Sequence, residues 1–114
     1  TAYNLVNGEH TCNSKDLLTY VLRDEWQYEG LVMTDWYVTV KDIQQVSLNR
    51  ENKYDRASAA ECVRAGNALT MPGTESDRKD IVDSLHSQEK DTLTKAELQL
   101  AAGQVLQCIL KIYR

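Results

Sequence analysis

Short apolar runs alternate with stretches of helical periodicity along this chain of 114 residues. Three runs, at residues 2–6, 31–34 and 67–73, have the composition of short strands. Each run is followed by a stretch that predicts a helix, and one more helix closes the chain. The order strand, helix, strand, helix, strand, helix, helix predicts parallel strands with right-handed crossovers. The predicted fold class is therefore α/β.

The predicted helices cover residues 14–26, 57–65 and 76–86 and the segment from Thr94 to the C-terminus. Thr94 and Glu97 match the capping-box pattern, and Gly66 is suited to end the second helix. Leu17, Leu18, Val21 and Leu22 give the first helix an apolar stripe, and Trp26 is expected in the core. The stretch around residues 37–43 permits an extended segment, whereas residues 49–56 are polar and predict a loop.

The predicted strands end on side chains that can carry chemistry. In parallel sheets, ligand-binding groups collect at the carboxyl ends of the strands, so three pairs of residues should face one side. These pairs are Tyr3–Asn4, Asp35–Trp36 and Met71–Pro72.

Asp35 and Trp36 are the strongest candidates for a functional site. A carboxylate at a strand end can act as a nucleophile, a general base, a metal ligand or a phosphoacceptor, or it can simply begin the next turn. The adjacent Trp36 is suited to stacking on a sugar ring or another flat ligand. Tyr3 can hydrogen-bond a carboxylate at a strand end and hold it ionised, or it is an ordinary half-buried strand aromatic.

Composition and motifs exclude several classes of protein. No apolar run approaches the roughly 20 residues of a membrane span, and no Lys/Arg cluster predicts a nucleic-acid surface. The phosphate-binding glycine motifs are absent, and the His and Cys spacings do not predict a metal site. We therefore predict no cofactor, no metal, no nucleic acid and no membrane partner. Cys12, Cys62 and Cys108 are expected as small buried side chains rather than a disulfide framework.

Several segments, in order, resemble glycoside hydrolase family 3, the β-glucosidase type. The run "AYNLVNGEHTCNSKDLLTYVLRDEWQYEGLVMTDW" is similar to that family's Ser-Tyr-Asn-x-x-Asn-Gly strand and turn, followed by a helix and the nucleophile strand. "CVRAGNALTMPG" is similar to its Ala-Gly-Asn-Asp-Leu-x-Met-Pro-Gly segment, and the closing helix resembles the one that ends the family's barrel domain. Thr34 stands where the family usually has Ser, and Ala68 where Asp is common.

The resemblance implies a retaining glycosidase acting on a β-glucoside or a related carbohydrate. It places Asp35 at the nucleophile position and Trp36 at the aromatic wall of the leaving-group subsite. Tyr3 matches the tyrosine near the nucleophile, and Met71 lies near the sugar site. The acid/base residue and most sugar-clamping residues of the family fall outside the matching segments.

A (β/α)₈ barrel needs about eight strands and 250 residues. The resemblance therefore predicts a partial TIM barrel, with about three βα units and a long C-terminal helix in residues 1–114. The start on a strand-like segment, without Met, indicates a removed leader or tag or a piece of a longer protein, and it leaves the compartment open. Unpaired edges and apolar faces predict self-association, the remainder of a parent enzyme as a partner, and no glycosidase activity from the chain alone.

Two other interpretations remain open. One is a phosphoacceptor receiver-like signalling module with Asp35 as the acceptor. That class requires an acidic pair after the first strand and a late Lys, whereas residues 7–10 read "NGEH", with one acid. The other is a purely structural fragment without a ligand site.

Overall fold

A computed structural model describes residues 1–40 and 55–114. Within these ranges the protein is a small α/β arrangement of one two-stranded sheet and four helices. The strands are β1 (Leu5–Val6) and β2 (Glu9–His10), followed by a 3₁₀ turn at Thr11–Asn13. The helices, in chain order, are α1 (Asp16–Glu25), α2 (Ala59–Ala65), α3 (Glu75–His86) and α4 (Lys95–Ile112).

The first predicted strand is shorter than expected and forms a hairpin. β1 pairs antiparallel with β2, with Leu5 opposite His10 and Val6 opposite Glu9. The connecting Asn7 and Gly8 both have positive φ, of 53° and 86°. This backbone geometry is the one that two-residue hairpin turns require, and Asn-Gly is its preferred sequence.

The second and third predicted strands contact each other in parallel, although only one bridge, between Met33 and Leu69, is regular. The Ala68 N–H donates to the Val32 carbonyl (2.8 Å), and the Thr34 N–H donates to the Leu69 carbonyl (3.0 Å). Residues 31–34 and 67–71 therefore run side by side in the same direction, as the βα order predicted. We name these two segments the parallel pair.

The chain start lies along the other side of residues 31–36. The amino nitrogen of Thr1 donates to the Met33 carbonyl over 2.7 Å, and the Tyr3 hydroxyl donates to the Trp36 carbonyl. Residue numbers increase together in these two contacts, one from the main chain and one from a side chain, so residues 1–3 follow residues 33–36 in the same direction. Within the described residues, the regular sheet contains only the hairpin.

Local sequence rules account for most of the helix ends. Thr94 and Glu97 form the predicted capping box of α4, and Gly66, with φ of 122°, ends α2 as predicted. A second capping box, formed by Thr74 and Asp77, begins α3.

Helix α1 differs from the prediction in its winding. It is π-helical, and its final turn is closed by a hydrogen bond from the Trp26 N–H to the Val21 carbonyl. Leu18 is buried on α1 as the stripe predicted, but the prediction of a core Trp26 is wrong, because its side chain is 71% exposed. The amphipathic stripe assumes α-helical periodicity, which a π-helix does not follow.

The core is built around α2, whose small side chains allow close approach. Ala59, Ala60, Cys62, Val63 and Ala65 of α2 are all buried. One cluster joins Cys12 and Cys62 to Val38 and Ala57, and a second joins α2 to Leu93 and Ala101. Cys12 and Cys62 are buried as predicted, whereas Cys108 is only partly buried.

Helix α4 is packed at its N-terminal half and exposed at its C-terminal half. Ala101 is buried and Leu98 is partly buried against the α2 cluster. Leu100 is exposed in the N-terminal half, and five large apolar side chains are exposed from there to the residue that follows the helix: Leu106, Ile109, Leu110, Ile112 and Tyr113. No helix in the described part of the chain combines the length and apolarity required to cross a membrane.

The stretch that follows the parallel pair is described only in part. Residues 36–39 form a turn, so the extended segment predicted around residues 37–43 does not begin there. Its remainder, and most of the loop predicted at 49–56, lie in residues 41–54, outside the described ranges.

Candidate active site

The parallel pair carries Asp35 and Met71 to one end of the fold. Asp35 directly follows the first segment, and Met71 ends the second. Two hydrogen bonds align Met71 with the residues on either side of Asp35. The Met71 N–H donates to Thr34 Oγ1 over 2.9 Å, and the Tyr37 N–H donates to the Met71 carbonyl over 2.8 Å. The ends of these two segments are thus joined immediately around Asp35, as the βα order predicted.

The Asp35 carboxylate is half-buried and held by its own turn. Its Oδ1 accepts a hydrogen bond from the Trp36 N–H at 2.7 Å. Within residues 1–40 and 55–114, no hydrogen bond reaches Oδ2. This local contact orients the carboxylate.

Trp36 and Tyr37 form an aromatic edge beside this carboxylate. The Trp36 side chain is about half exposed, and its ring lies 5.9 Å from the Tyr37 ring at a tilt of 42°. Tyr37 adopts a positive φ of 59°, which turns the chain sharply after the strand. The exposed indole next to the Asp35 carboxylate provides a surface on which a flat ligand can stack.

Tyr3 reaches this end of the fold but contacts the backbone. Its hydroxyl donates to the Trp36 carbonyl rather than to the Asp35 carboxylate. Burial and the nearby negative charge of Asp35 raise the pKa of Tyr3, so the phenol stays protonated at neutral pH and remains a donor. Tyr3 therefore supports the turn that follows Asp35.

The structure brings all four predicted site residues to one region: Tyr3 and Met71 are both hydrogen-bonded to the Asp35–Tyr37 turn. Thr34 was not predicted as the link between the two segments. Its signal was the hydroxyl in an otherwise apolar strand, because a buried hydroxyl requires a partner. Within the described residues, no group of three or more His, Cys, Asp or Glu side chains is arranged to hold a metal ion.

Fold and site together define an α/β protein that presents a carboxylate and an aromatic side chain at the end of parallel extended segments. Many α/β enzymes place their reactive groups in this position.

Comparison with known proteins assigns the family. The model of the glycosyl hydrolase family 3 N terminal domain matches residues 1–108, and the chain belongs to this family. The chain is 35% identical over 109 residues to a protein named probable beta-glucosidase K of Aspergillus fumigatus. The matched region covers 96% of this chain and 12% of that relative. The chain is 32% identical over 109 residues to the beta-glucosidase of Kluyveromyces marxianus, covering 96% of the chain and 11% of the relative.

A third relative, probable beta-glucosidase I of Aspergillus niger, is 38% identical over 73 residues, or 64% of this chain. The chain thus spans about an eighth or less of the length of these relatives. The family resemblance expected from the sequence is confirmed, and the receiver-like alternative is set aside by the family assignment.

Proposed function

We propose that this chain is part of the catalytic barrel of a retaining glycoside hydrolase, in which Asp35 is the nucleophile that attacks β-glucosidic bonds. The observation that carries the proposal is the position of Asp35, at the end of a parallel segment and beside an exposed Trp36, in a family 3 chain. The names of the relatives support the substrate class.

In the proposed reaction, Asp35 Oδ2 attacks the anomeric carbon of the sugar, and the bond from that carbon to the leaving oxygen breaks. A second carboxyl group, outside this chain and about 5 Å from the nucleophile, gives its proton to that oxygen. Water then attacks the glycosyl ester, its proton returns to the second carboxylate, and Asp35 is released as a carboxylate. The hydrogen bond from the Trp36 N–H to Oδ1 orients the carboxylate for this attack.

Trp36 and Met71 are proposed to contact the sugar. The exposed indole offers its face to the apolar side of a pyranose at the leaving-group subsite. Met71 is held beside Asp35 by its hydrogen bonds to Thr34 and Tyr37, so its side chain is positioned at the same end of the fold. Tyr3 is proposed to position the turn rather than to touch the reacting atoms.

The whole of residues 1–114 is proposed to form one unit, the last three βα units of a (β/α)₈ barrel. The shared direction of residues 1–3, 31–34 and 67–71 supports this arrangement. Three units cannot close a barrel or supply the acid group, so the isolated chain is expected to be inactive.

A segment graft tests the proposal. Residues 1–108 would replace the matching segment of the Kluyveromyces marxianus beta-glucosidase, with an aryl β-glucoside as substrate. We expect turnover by the graft, a loss of ~10⁴-fold or more in kcat with Asp35→Asn, and none from the purified 114-residue chain. Asp24→Asn is the matched control, because Asp24 is an exposed carboxylate of α1. A folded graft without turnover, or an Asp35→Asn graft with unchanged kcat, would contradict the proposal.

A further inference from the structure

Two cysteines that the proposed function does not use lie next to each other in the core. Cys12 in the 3₁₀ turn and Cys62 in α2 are both 0% exposed and share a cluster with Val38 and Ala57. One end of the Asn13 side-chain amide lies 3.1 Å from Cys62 Sγ and 3.8 Å from Cys12 Sγ. Because both sulfurs contact the same atom, they are immediate neighbours across the contact between the turn and α2.

The main chains of the two cysteines are also held together. The Asn67 amide is fully buried, and its Nδ2 donates to the Cys12 carbonyl at 2.7 Å and to the Cys62 carbonyl at 2.9 Å. A disulfide requires two backbones that approach closely and side chains that converge. Asn67 supplies the first condition here, and the shared contact with Asn13 supplies the second.

The orientation of the Asn13 amide makes the two thiols unequal. With Nδ2 toward the Ser58 carbonyl and Oδ1 accepting from the Ser58 N–H, both at 3.2 Å, the amide satisfies both backbone groups. That Nδ2 then points at Cys62 Sγ, and the Cys62 thiol is free to donate to Cys12.

This hydrogen bond from Cys62 lowers the pKa of Cys12 despite burial. The pKa of Cys62 is raised by the same hydrogen bond, by burial and by the charges of Asp77 and Asp80. The hydrogen bond from Cys62 thus favours the thiolate form of Cys12.

We propose that Cys12 and Cys62 form a peroxide-sensitive dithiol that is oxidised to an intramolecular disulfide. The Cys12 thiolate attacks one oxygen of hydrogen peroxide, the O–O bond breaks, and Cys12 becomes a sulfenic acid while the released hydroxide takes up a proton. Cys62 sulfur then attacks Cys12 sulfur, the S–O bond breaks, and the departing hydroxide takes the Cys62 thiol proton and leaves as the second water. Two thiols lose two electrons, and one peroxide becomes two waters.

The cross-link would fasten the chain start to α2. Thr11, next to Cys12, donates through Oγ1 to the Ala2 carbonyl at 2.9 Å and through its N–H to the Asn4 carbonyl at 3.2 Å. The segment that carries Tyr3 is therefore held by the same turn. A disulfide would close the loop between Cys12 and Cys62. This closure should raise the melting temperature of the protein, because it restricts the unfolded chain.

The test uses the full chain with Cys108→Ser, which removes the third thiol. After treatment with hydrogen peroxide, tryptic mapping without reductant should yield the peptide of residues 1–15 joined to that of residues 57–64. The mass of the undigested chain should be lower by two hydrogens. We also expect the melting temperature to rise by at least ~4 °C and to fall back after dithiothreitol. Adding Cys12→Ser or Cys62→Ser should abolish both responses.

Three outcomes would overturn the proposal: both thiols still reduced after peroxide treatment, sulfinic or sulfonic acids without the joined peptides, or a disulfide formed only between two chains. The mapping of Cys108→Ser alone decides among these outcomes, so the test holds even if a second cysteine substitution prevents folding.

Discussion

The backbone N–H of Met71 donates to the side-chain hydroxyl of Thr34, with 2.9 Å between N and Oγ1. This bond joins the two segments of the parallel pair immediately beside Asp35. Thr34 is only 2% exposed, so water does not replace the bond if the hydroxyl is lost. The Thr34 hydroxyl therefore adds a side-chain link to the backbone hydrogen bonds that pair the two segments at the candidate site.

Thr34→Val should destabilise the chain by about 1–3 kcal/mol, because it keeps the shape but leaves the partly buried Met71 N–H without its acceptor. Amide hydrogen exchange of Met71 should become faster in this variant. Thr34→Ser is the matched control, since it retains the hydroxyl and should keep Met71 protected. Equal exchange rates at Met71 in the two variants would show that the hydroxyl does not hold the segments together.

Asn67 is expected to be among the most sensitive polar positions in the chain. Asn67→Asp replaces the amide donor with oxygens that face the carbonyls of Cys12 and Cys62, so we expect a loss of about 3 kcal/mol or more at neutral pH. Urea unfolding measures this change. Asn4→Asp is the control at an exposed position and should stay within ~0.5 kcal/mol of the parent chain. A similar effect from both substitutions would contradict the role assigned to Asn67.

Glu97 should make the stability of the chain sensitive to acid. Burial acts to raise the pKa of Glu97, but hydrogen bonds from the Thr94 N–H and hydroxyl and the ion pair with Lys15 outweigh it and hold the pKa below its usual range. Because the folded-state value is the lower one, this stabilisation is complete above the pKa of the unfolded chain. It is lost as pH falls through the pKa of the folded state.

Glu97→Gln should therefore reduce stability by about 0.5–1 kcal/mol at pH 7 and by much less at pH 3. Thermal melts between these two pH values, with Glu89→Gln as the exposed control, measure the difference. A Glu97→Gln effect that is the same at both pH values would argue against a charged capping box.

The exposed end of α4 is expected to drive self-association of the isolated chain. Leu106 and Leu110 lie one turn apart and are 61% and 60% exposed. Contiguous exposed apolar side chains of this kind favour association in water. The double variant Leu106→Glu/Leu110→Glu should shift the chain from dimer or larger species to monomer in sedimentation velocity. Gln99→Glu/Gln107→Glu adds the same charge at polar positions of α4 and should leave the mass unchanged. A monomeric parent chain at high micromolar concentration would refute the expectation.

The sequence was most informative where structure depends on neighbouring residues. The capping box of Thr94 and Glu97 and the helix end at Gly66 follow from the chemistry of a single turn, and both were predicted. The Asn7–Gly8 turn lies at an Asn-Gly pair, which such turns favour, but the return strand was not predicted. Glu9 and His10 have little strand propensity, and only the hairpin preference of Asn-Gly pointed to them.

Relationships between distant residues escaped the sequence analysis. Cys12 and Cys62 were predicted to be buried, yet nothing local indicates that they are neighbours, because the contact depends on how α2 packs against the 3₁₀ turn. Tyr3 was placed near the site, but its acceptor, the Trp36 carbonyl, depends on the tertiary arrangement. Trp26 was misplaced because the periodicity argument assumes a regular α-helix, whereas α1 is π-helical.

The central claim is that Asp35 is the carboxylate that forms the glycosyl ester. It is tested most directly by treating the graft with a 2-deoxy-2-fluoro-β-glucoside that carries an activated leaving group, followed by tryptic mapping. The account predicts that the added sugar is found on the peptide of residues 24–41 and is assigned to Asp35 by fragmentation, and that Asp35→Asn removes the label whereas Asp24→Asn does not. A label on any other carboxylate, with Asp35 unmodified, would contradict it.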